Sequence, residues 1–196
     1  MTVRPADLLP NAEFVSQRPW LERAAIENAS VRRIKVGDHL LFLFENRVSV
    51  TWQVQEMCRV ESISSPAAIQ HELDTYNALL PSVAADGSAE LSATLMIQYT
   101  DEQERDIALH ALVGMHEHVY IEIAGERYPA RFDNEQFNDT RVSAVQFVRF
   151  PLPAKARREF GDLSKPAALV CTHPALSDRA TISPVCRGAL IGDLEG

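Results

Sequence analysis

The sequence is poor in cysteine, with only three among 196 residues. Cys58, Cys171 and Cys186 stand far apart and form no CxxC pair. This spacing supplies neither a zinc ribbon nor an iron–sulfur site. Because the number is odd, we expect free and mostly buried thiols in a reducing compartment rather than disulfides.

Glycine-rich loops and catalytic signatures are also missing. The glycines stand singly and make neither a GxGxxG nor a P-loop pattern, which excludes the usual phosphate-binding loops. The nucleophile motif GxSxG and the metalloprotease motif HExxH do not occur either. No reaction class is therefore indicated by a motif.

Long apolar runs and an excess of positive charge are absent as well. The longest apolar run lies around Leu40–Phe44, far too short to span a bilayer. The first residues show no basic segment followed by an apolar run, so no secretory signal is predicted. The formal net charge of -8 repels phosphate backbones and acidic membrane surfaces. We expect a cytoplasmic protein that binds neither nucleic acid nor membranes.

The residues that are present predict a folded protein with one domain over residues 1–196. The predicted strands are VRRIKV, LLFLFE, LSATLMIQY, HVYIEI, RYPARF, TRVSAVQFVRF and ALVCTH. The predicted helices cover 12–28, 47–61, 66–79, a segment from a Thr100–Gln103 capping box to Gly114, PAKARREF, and the segment after Ser183. SVAADGSAE is expected to be a mobile loop. Hairpins interleaved with helices predict an α+β fold, with a mainly antiparallel sheet and helices packed against it.

The segment 47–61 fits two structures. Its apolar residues alternate at first as in a strand, yet Val50 and Met57 also belong to a helical stripe. The ending EMCRVE favours a helix. In a strand, Gln53 would be separated from Glu56, whereas in a helix the two lie one turn apart.

Polar side chains are crowded into this segment and its neighbours, where core residues also lie. Buried polar groups cost free energy unless each is matched, so they form either an internal network or a site. Gln146 sits on the apolar face of TRVSAVQFVRF, and we expect Gln53 and Glu56 to be its partners. The predicted ligand-binding residues are Glu45, Arg47, Gln53, Glu56, Arg59, Glu72, Gln146 and Arg149.

Glu56 is the candidate catalytic residue. Beside the guanidinium of Arg59 its carboxylate would stay ionised, which suits the orientation of a substrate. Against an apolar wall its pKa would rise, and it would serve as a general acid or base. Structural ion pairs, ligand contacts and acid–base catalysis all remain open from the sequence.

Two histidines give a weak metal signal. His116 and His118 would place two imidazoles on one side of a strand start. A third ligand at matching spacing is not evident, so surface histidines near a loop are the favoured interpretation. We expect no metal and no cofactor.

Six blocks of sequence, in order, resemble a known family: LLFLFENR, QVQEMCRVE, ELDTYNALLP, ELSATL, LVGMHEHVYIEI and SAVQFVRFPL. The family they resemble is bacterial, uncharacterised, and catalogued only as a domain of unknown function. The resemblance covers nearly the whole chain and implies a single-domain cytoplasmic protein. It also implies genes placed beside a rubrerythrin-like protein and an iron–sulfur oxidoreductase subunit, hence an accessory role in redox or peroxide defence. Electron transfer would then reside in the partner.

Three functional hypotheses follow. The leading one is a non-enzymatic binding or accessory protein, which requires an open pocket at the polar cluster. The alternative is an enzyme of unknown class that uses Glu56 on a small anionic substrate held by Arg59 or Arg149. The third is a structural subunit of a homo-oligomer, associating through an exposed hairpin edge, with a closed and satisfied polar network.

Overall fold

The computed structural model describes residues 2–133 and 140–195. Its α-helices are α1 (Asn11–Ser30), α2 (Arg47–Val60), α3 (Pro66–Asn77), α4 (Glu102–Ala111), α5 (Ala154–Gly161) and α6 (Pro184–Glu195). Its strands are β1 (Arg33–Val36), β2 (Leu40–Phe44), β3 (Ser82–Val83), β4 (Ala89–Ile97), β5 (Val119–Ile123), β6 (Glu126–Pro129), β7 (Arg131–Phe132), β8 (Val145–Leu152), β9 (Ala167–His173) and β10 (Leu176–Thr181). None of the described helices is long and apolar enough to cross a membrane.

The strands form two antiparallel sheets. The larger has the order β1-β2-β4-β8-β7, with β3 paired to β4, and the smaller has the order β10-β9-β5-β6. β1 lies against β10, and β6 lies against β8. The edges of the two sheets therefore approach each other, and their inner faces enclose the main core. The predicted α+β class with antiparallel hairpins is confirmed.

Inward-facing side chains of the strands, at every second position, fill this core. In β2 the side chains of Leu40, Phe42 and Phe44 are at most 1% exposed, while Leu41 and Leu43 are only half-buried. Successive strand residues point to opposite faces, so an unbroken apolar run still has an inner and an outer face. The outer face of the larger sheet is covered by helices, which explains why this strand has apolar residues on both faces.

A second, smaller core lies between this outer face, α2 and α3. Val50 and Val54 of α2 are fully buried there, with Leu73 of α3 and the partly buried Phe147 of β8. The stripe has helical spacing, and Asn46 caps α2 by accepting the backbone N–H of Ser49 over 3.0 Å. The segment 47–61 is therefore a helix, as favoured from the sequence.

Gly37 closes the β1–β2 hairpin. It has a φ of 59°, in the left-handed region that glycine enters without strain. A Cβ at this position would lie 2.8 Å from a carboxylate oxygen of Asp178 in β10. The turn therefore needs glycine both for its backbone and for the close approach of the smaller sheet.

Three local expectations were wrong in detail. Residues 82–83 pair with β4 as β3, so part of the expected mobile loop is a short hairpin. β10 was not predicted, because it is a polar and largely exposed edge strand. Asp101, not Thr100, caps α4, and its carboxylate accepts two backbone N–H groups over 2.8 and 2.9 Å.

Arg187 joins α5 to α6 from a buried position, with 3% of its surface exposed. Its guanidinium donates to the carbonyls of Phe160, Glu159 and Asp162 over 2.7, 2.7 and 2.9 Å, and also to that of Lys165. These carbonyls lie at and after the C-terminal end of α5, where helices leave acceptors unpaired and partial negative charge collects. This arginine therefore has a structural role.

Candidate functional site

Glu45 forms the centre of a buried polar network. It is 2% exposed, and its carboxylate accepts hydrogen bonds from Thr94 Oγ1 and Ser49 Oγ, each over 2.5 Å, and from Gln53 Nε2 over 3.0 Å. Glu45 directly follows β2 and lies at the N-terminal end of α2. Ser49 and Gln53 lie four and eight residues later, so the helix places both side chains next to the Glu45 carboxylate. The predicted proximity of Glu45 and Gln53 is therefore found.

The network continues to the C-terminal helix. Asn46 Nδ2 donates to Asn28 Oδ1 over 3.0 Å and to Asp193 Oδ1 over 3.1 Å. The same Asp193 carboxylate accepts two bonds from Arg32, over 2.7 and 2.9 Å. Both partners of this ion pair are nearly buried, with 12% and 10% of their side chains exposed. This bidentate pair joins the end of α1 to α6, and the Asn46 bonds connect the start of α2 to both.

Glu56 lies apart from this network, in a bridge between α1 and α2. Its carboxylate accepts Arg18 Nε over 2.6 Å and Arg59 Nη2 over 2.8 Å. Burial alone would raise the pKa of Glu56, but the hydrogen bonds from Arg59 and Arg18 outweigh it and lower this pKa. The carboxylate is therefore ionised at neutral pH, a state that suits an ion pair better than proton donation.

Gln146 does not meet the predicted partners. It is fully buried on the face of β8 that is turned to the main core, whereas Gln53 and Glu56 lie on α2, beyond the opposite face of the sheet. Its Nε2 donates to the Ser143 carbonyl over 3.0 Å. The expected contact was wrong because neighbouring strand residues point to opposite faces, and it is Phe147 that faces the helices.

The remaining predicted residues lie among the helices on the outer side of the larger sheet and on that face of the sheet itself. Arg47 pairs with Asp7 over 2.8 Å. Glu72 is half-buried on α3, and its negative charge helps to raise the pKa of Tyr76. Arg149 lies on the outer face of β8. The predicted set is therefore several small clusters on one side of the larger sheet, with Gln146 on the other.

The predicted pair of His116 and His118 does not form a complete metal site. His118 Nδ1 lies 3.3 Å from Thr172 Oγ1, and its ring meets that of His173 edge-on at 5.2 Å between centroids. His173 accepts the Ala175 N–H at Nδ1, so its Nε2 carries the proton that points to the Val113 carbonyl at 3.1 Å. Among the described residues no group of three or more His, Cys, Asp or Glu side chains could hold a metal ion.

The three cysteines are buried and free. Burial raises the pKa of each thiol, and that of Cys186 reaches about 11. Because the thiolate is the reactive form, none of these positions suits a nucleophile at neutral pH.

A concave site lies where α3 approaches β7 and β8. This cleft has a volume of about 630 Å³ and is lined by Thr75, Tyr76, Ala78, Leu79, Arg131, Phe132, Asp133, Phe147 and Arg149. Its size is within the usual range of small-molecule sites. It contains one residue of the predicted set, Arg149, together with apolar and aromatic walls.

Two arginines of this cleft share one carboxylate. Arg149 Nη1 donates to Glu90 Oε1 over 2.8 Å, and its Nη2 donates to the Ala78 carbonyl. Arg131 Nη2 donates to the other oxygen, Glu90 Oε2. The glutamate is mostly buried, with 18% of its side chain exposed, while Arg131 and Arg149 are 65% and 36% exposed. The guanidinium groups, not the carboxylate, therefore face the solvent of the cleft.

Tyr76 adds a phenol to the same cleft. Burial raises the pKa of its hydroxyl, and the negative charges of Glu72, Glu61 and Glu45 raise it further. The hydroxyl therefore remains protonated and able to donate a hydrogen bond.

Several residues of these clusters escaped sequence reasoning. Ser49, Thr94 and Glu90 were not singled out, although a period of two in ELSATL places Glu90 and Thr94 on one face and Leu91 on the other. Arg131 carried no such signal. It reaches Glu90 only because β7 pairs with β8.

Comparisons with known proteins give a family and no activity. Residues 2–194 match the model of a family described as "Protein of unknown function (DUF3501)". The crystal structure of a novel protein of unknown function from Burkholderia pseudomallei K96243 is 33% identical, covers 99% of this chain and 100% of its own, and superposes with a TM-score of 0.88. No curated protein matches the chain. The similarity therefore extends over the whole fold, and function has to be argued from the sites.

Proposed function

The chain belongs to the DUF3501 family of proteins of unknown function, and from its geometry we propose a non-enzymatic binding protein that holds a small anionic ligand. The proposed site is the cleft between α3, β7 and β8. The observation that carries the proposal is the sharing of Glu90 by Arg131 and Arg149.

The charge of this group favours an anion. Two guanidinium groups beside one carboxylate leave one positive charge in surplus. An arginine has five N–H donors, and the contacts to Glu90 and Ala78 use only part of this capacity. Asp133 also lines the cleft, so that these four charges sum to zero, and we place the anionic group of the ligand against the arginines because of their remaining N–H donors. Charge-assisted bonds of this kind suit a carboxylate or a phosphate.

The walls indicate what the rest of the ligand resembles. Tyr76 and Phe147 are half-buried aromatic residues that line the cleft, and Leu79 is buried beside them. Flat apolar groups pack well against aromatic rings. A small aromatic or planar compound with one anionic group therefore fits both the apolar walls and the guanidinium groups.

Binding is favoured over catalysis by the state of the candidate acid–base groups. Glu56 is held ionised between two arginines, and Glu45 is closed off by three hydrogen-bond donors. Neither side chain lines the cleft. A general acid or base must reach the proton that it transfers, so neither carboxylate is placed to react in the cleft.

Isothermal titration of the full chain with phenyl phosphate, benzoate and benzamide tests this proposal. Benzamide matches benzoate in shape and lacks its charge. We expect phenyl phosphate and benzoate to bind and benzamide to bind at least about tenfold more weakly, as loss of a charge-assisted hydrogen bond predicts. Arg149→Gln should weaken binding of the two anions to a similar extent.

Arg105→Gln is the matched control, because Arg105 lies on α4 and pairs only with the exposed Glu102 in the described part of the chain. It should leave the titrations unchanged. Equal binding of benzoate and benzamide, or equal losses in the two arginine variants, would refute the anion site. Failure of all three compounds to bind would refute the cleft as a ligand site.

A further inference from the structure

Helix α1 buries little of its own surface. Of its 20 residues only Phe14 is buried, although the helix is long enough to span one side of the molecule. Trp20 is 62% exposed, and Val15 and Ile26 are 52% and 56% exposed. Tryptophan has a large apolar side chain and is enriched at protein–protein interfaces, so an exposed one beside an apolar recess suits a contact surface.

A recess lies beside this tryptophan, between α1 and α2. Its volume is about 550 Å³, and it is lined by both tryptophans of the chain. Small side chains form part of its lining, Ala24 and Ala25 on α1 and Thr51 on α2, and the ion pair of Arg47 with Asp7 also lines it. The other tryptophan, Trp52, is held in place by the ring of Phe14, at 5.7 Å between centroids. The recess is therefore mainly apolar and has a fixed aromatic wall.

We propose that this face is a two-fold interface between two copies of the chain, with Trp20 of each copy inserted into the recess of the other. A two-fold contact requires that one surface carry both halves of a complementary pair. Here the projecting side chain and the recess lie on the same face, adjacent to each other. A buried tryptophan in a pocket is also the commonest kind of interface anchor.

The charge of the face permits contact between identical molecules. The whole chain has a net charge of -8, so two copies repel each other over most of their surfaces. Helix α1 has three carboxylates and two arginines, and α2 has one carboxylate and two arginines. The two helices together are neutral, which makes their common face a place where two acidic copies meet without like-charge repulsion.

The area is sufficient for a specific contact. With 20 residues in α1 and 14 in α2, helices about 30 and 20 Å long and about 10 Å wide give a face of about 500 Å². Two such faces would bury about 1,000 Å² in total, which reaches the threshold of a biological interface and lies in the range of weak, transient ones. The proposed dimer is thus expected to form at moderate concentration and to depend strongly on its tryptophan.

Sedimentation equilibrium of the full chain tests the interface. We expect a monomer–dimer equilibrium in the parent protein, and at least about tenfold weaker dimerisation in Trp20→Ser, as for interface tryptophans in general. Ala24→Glu places a charge in the recess and should have the same effect without removing the tryptophan. Far-UV circular dichroism would show that each variant is folded.

Ile107→Ser is the control, because Ile107 is 70% exposed on α4 and should not change the equilibrium. Tryptophan fluorescence provides a second readout, since both tryptophans line the recess, and dilution should shift the emission to the red as the dimer dissociates. A parent protein that stays monomeric at every concentration would overturn the proposal. So would a dimer that neither Trp20→Ser nor Ala24→Glu weakens. The cleft at Arg149 is separate, so neither result bears on the ligand site.

Discussion

Glu45 is a buried carboxylate whose three hydrogen-bond donors are all uncharged. Removing a charge from water is costly unless donors replace the lost hydration. Two short hydroxyl contacts and one amide supply that replacement, and the backbone N–H of Glu45 is also bonded, to the Ser92 carbonyl over 2.8 Å. The residue therefore orders the junction of β2 and α2, and contributes its charge to the surroundings of Tyr76.

Substitution of Glu45 separates these two contributions. Glu45→Ala leaves the half-buried donors of Gln53 and Thr94 without this acceptor, while Ser49 keeps the Asn46 carbonyl, and should lower the free energy of unfolding by about 2–4 kcal/mol. Glu45→Gln keeps the shape, and because hydroxyl groups also accept hydrogen bonds, it should change stability by less than about 1 kcal/mol. Urea unfolding measures both. Equal losses in the two variants would contradict this view, since the charge itself would then be what stabilises the fold.

Helix α2 organises the layer outside the larger sheet. One side of it packs with Val50 and Val54 against the second core. Another side carries Glu56, which binds Arg18 of α1 over 2.6 Å. Gln55 fixes the N-terminal segment through both groups of its amide, with Leu9 N–H at 2.6 Å and the Leu9 carbonyl at 3.2 Å. One short helix therefore connects the sheet, α1 and the chain start.

The pH dependence of stability tests the Glu56 bridge. The lowered pKa of Glu56 means that its ionised form stabilises the fold above the unfolded pKa, about 4.3 for glutamate. This contribution is lost as the pH falls through the folded-state value. Glu56→Gln should therefore cost about 1 kcal/mol at pH 7, and the difference from the parent should shrink as the pH falls below about 4.

Urea unfolding at a series of pH values measures this difference. Glu27→Gln is the control, because Glu27 is an exposed carboxylate of the same layer and makes no ion pair in residues 2–133 and 140–195. A Glu56→Gln deficit that stays constant down to pH 3 would show that the bridge acts through packing and not through charge.

Helices and strands were predictable from the sequence where a single local pattern, such as a turn glycine or an N-cap, determines the structure. The β1–β2 hairpin follows from its glycine turn. The start of α3 follows from the sequence Ser65-Pro66, and the Ser65 hydroxyl accepts the Ala68 N–H over 3.3 Å. The assignment of Gln146 to the helix-facing cluster failed because it depends on the face of β8, which the pairing with β4 and β7 decides. The Glu90 pair with Arg149 was not predicted, since only tertiary pairing brings together two residues that are 59 positions apart.

The proposed ligand cleft and the proposed dimer face both lie on the helical side of the larger sheet. The two sheets enclose the main core, the helices α2 and α3 cover the outer face of the larger sheet, and α1 packs on α2. The proposed anion-binding cleft, between α3, β7 and β8, lies at one side of this layer. The proposed dimer face, on α1 and α2 around Trp20, lies at the other side. The sequence predicted a polar cluster in this region. It did not predict that the cluster divides into a closed network and an open cleft.

Amide chemical-shift mapping by NMR, with phenyl phosphate added to the full chain, locates the bound ligand directly. If the cleft is the site, the shifts should be confined to residues 75–79, 131–133 and 147–149, and should disappear in Arg149→Gln while persisting in Arg105→Gln. Shifts concentrated on α1 and α2, or none at saturating ligand, would contradict an anion-binding cleft beside Arg149.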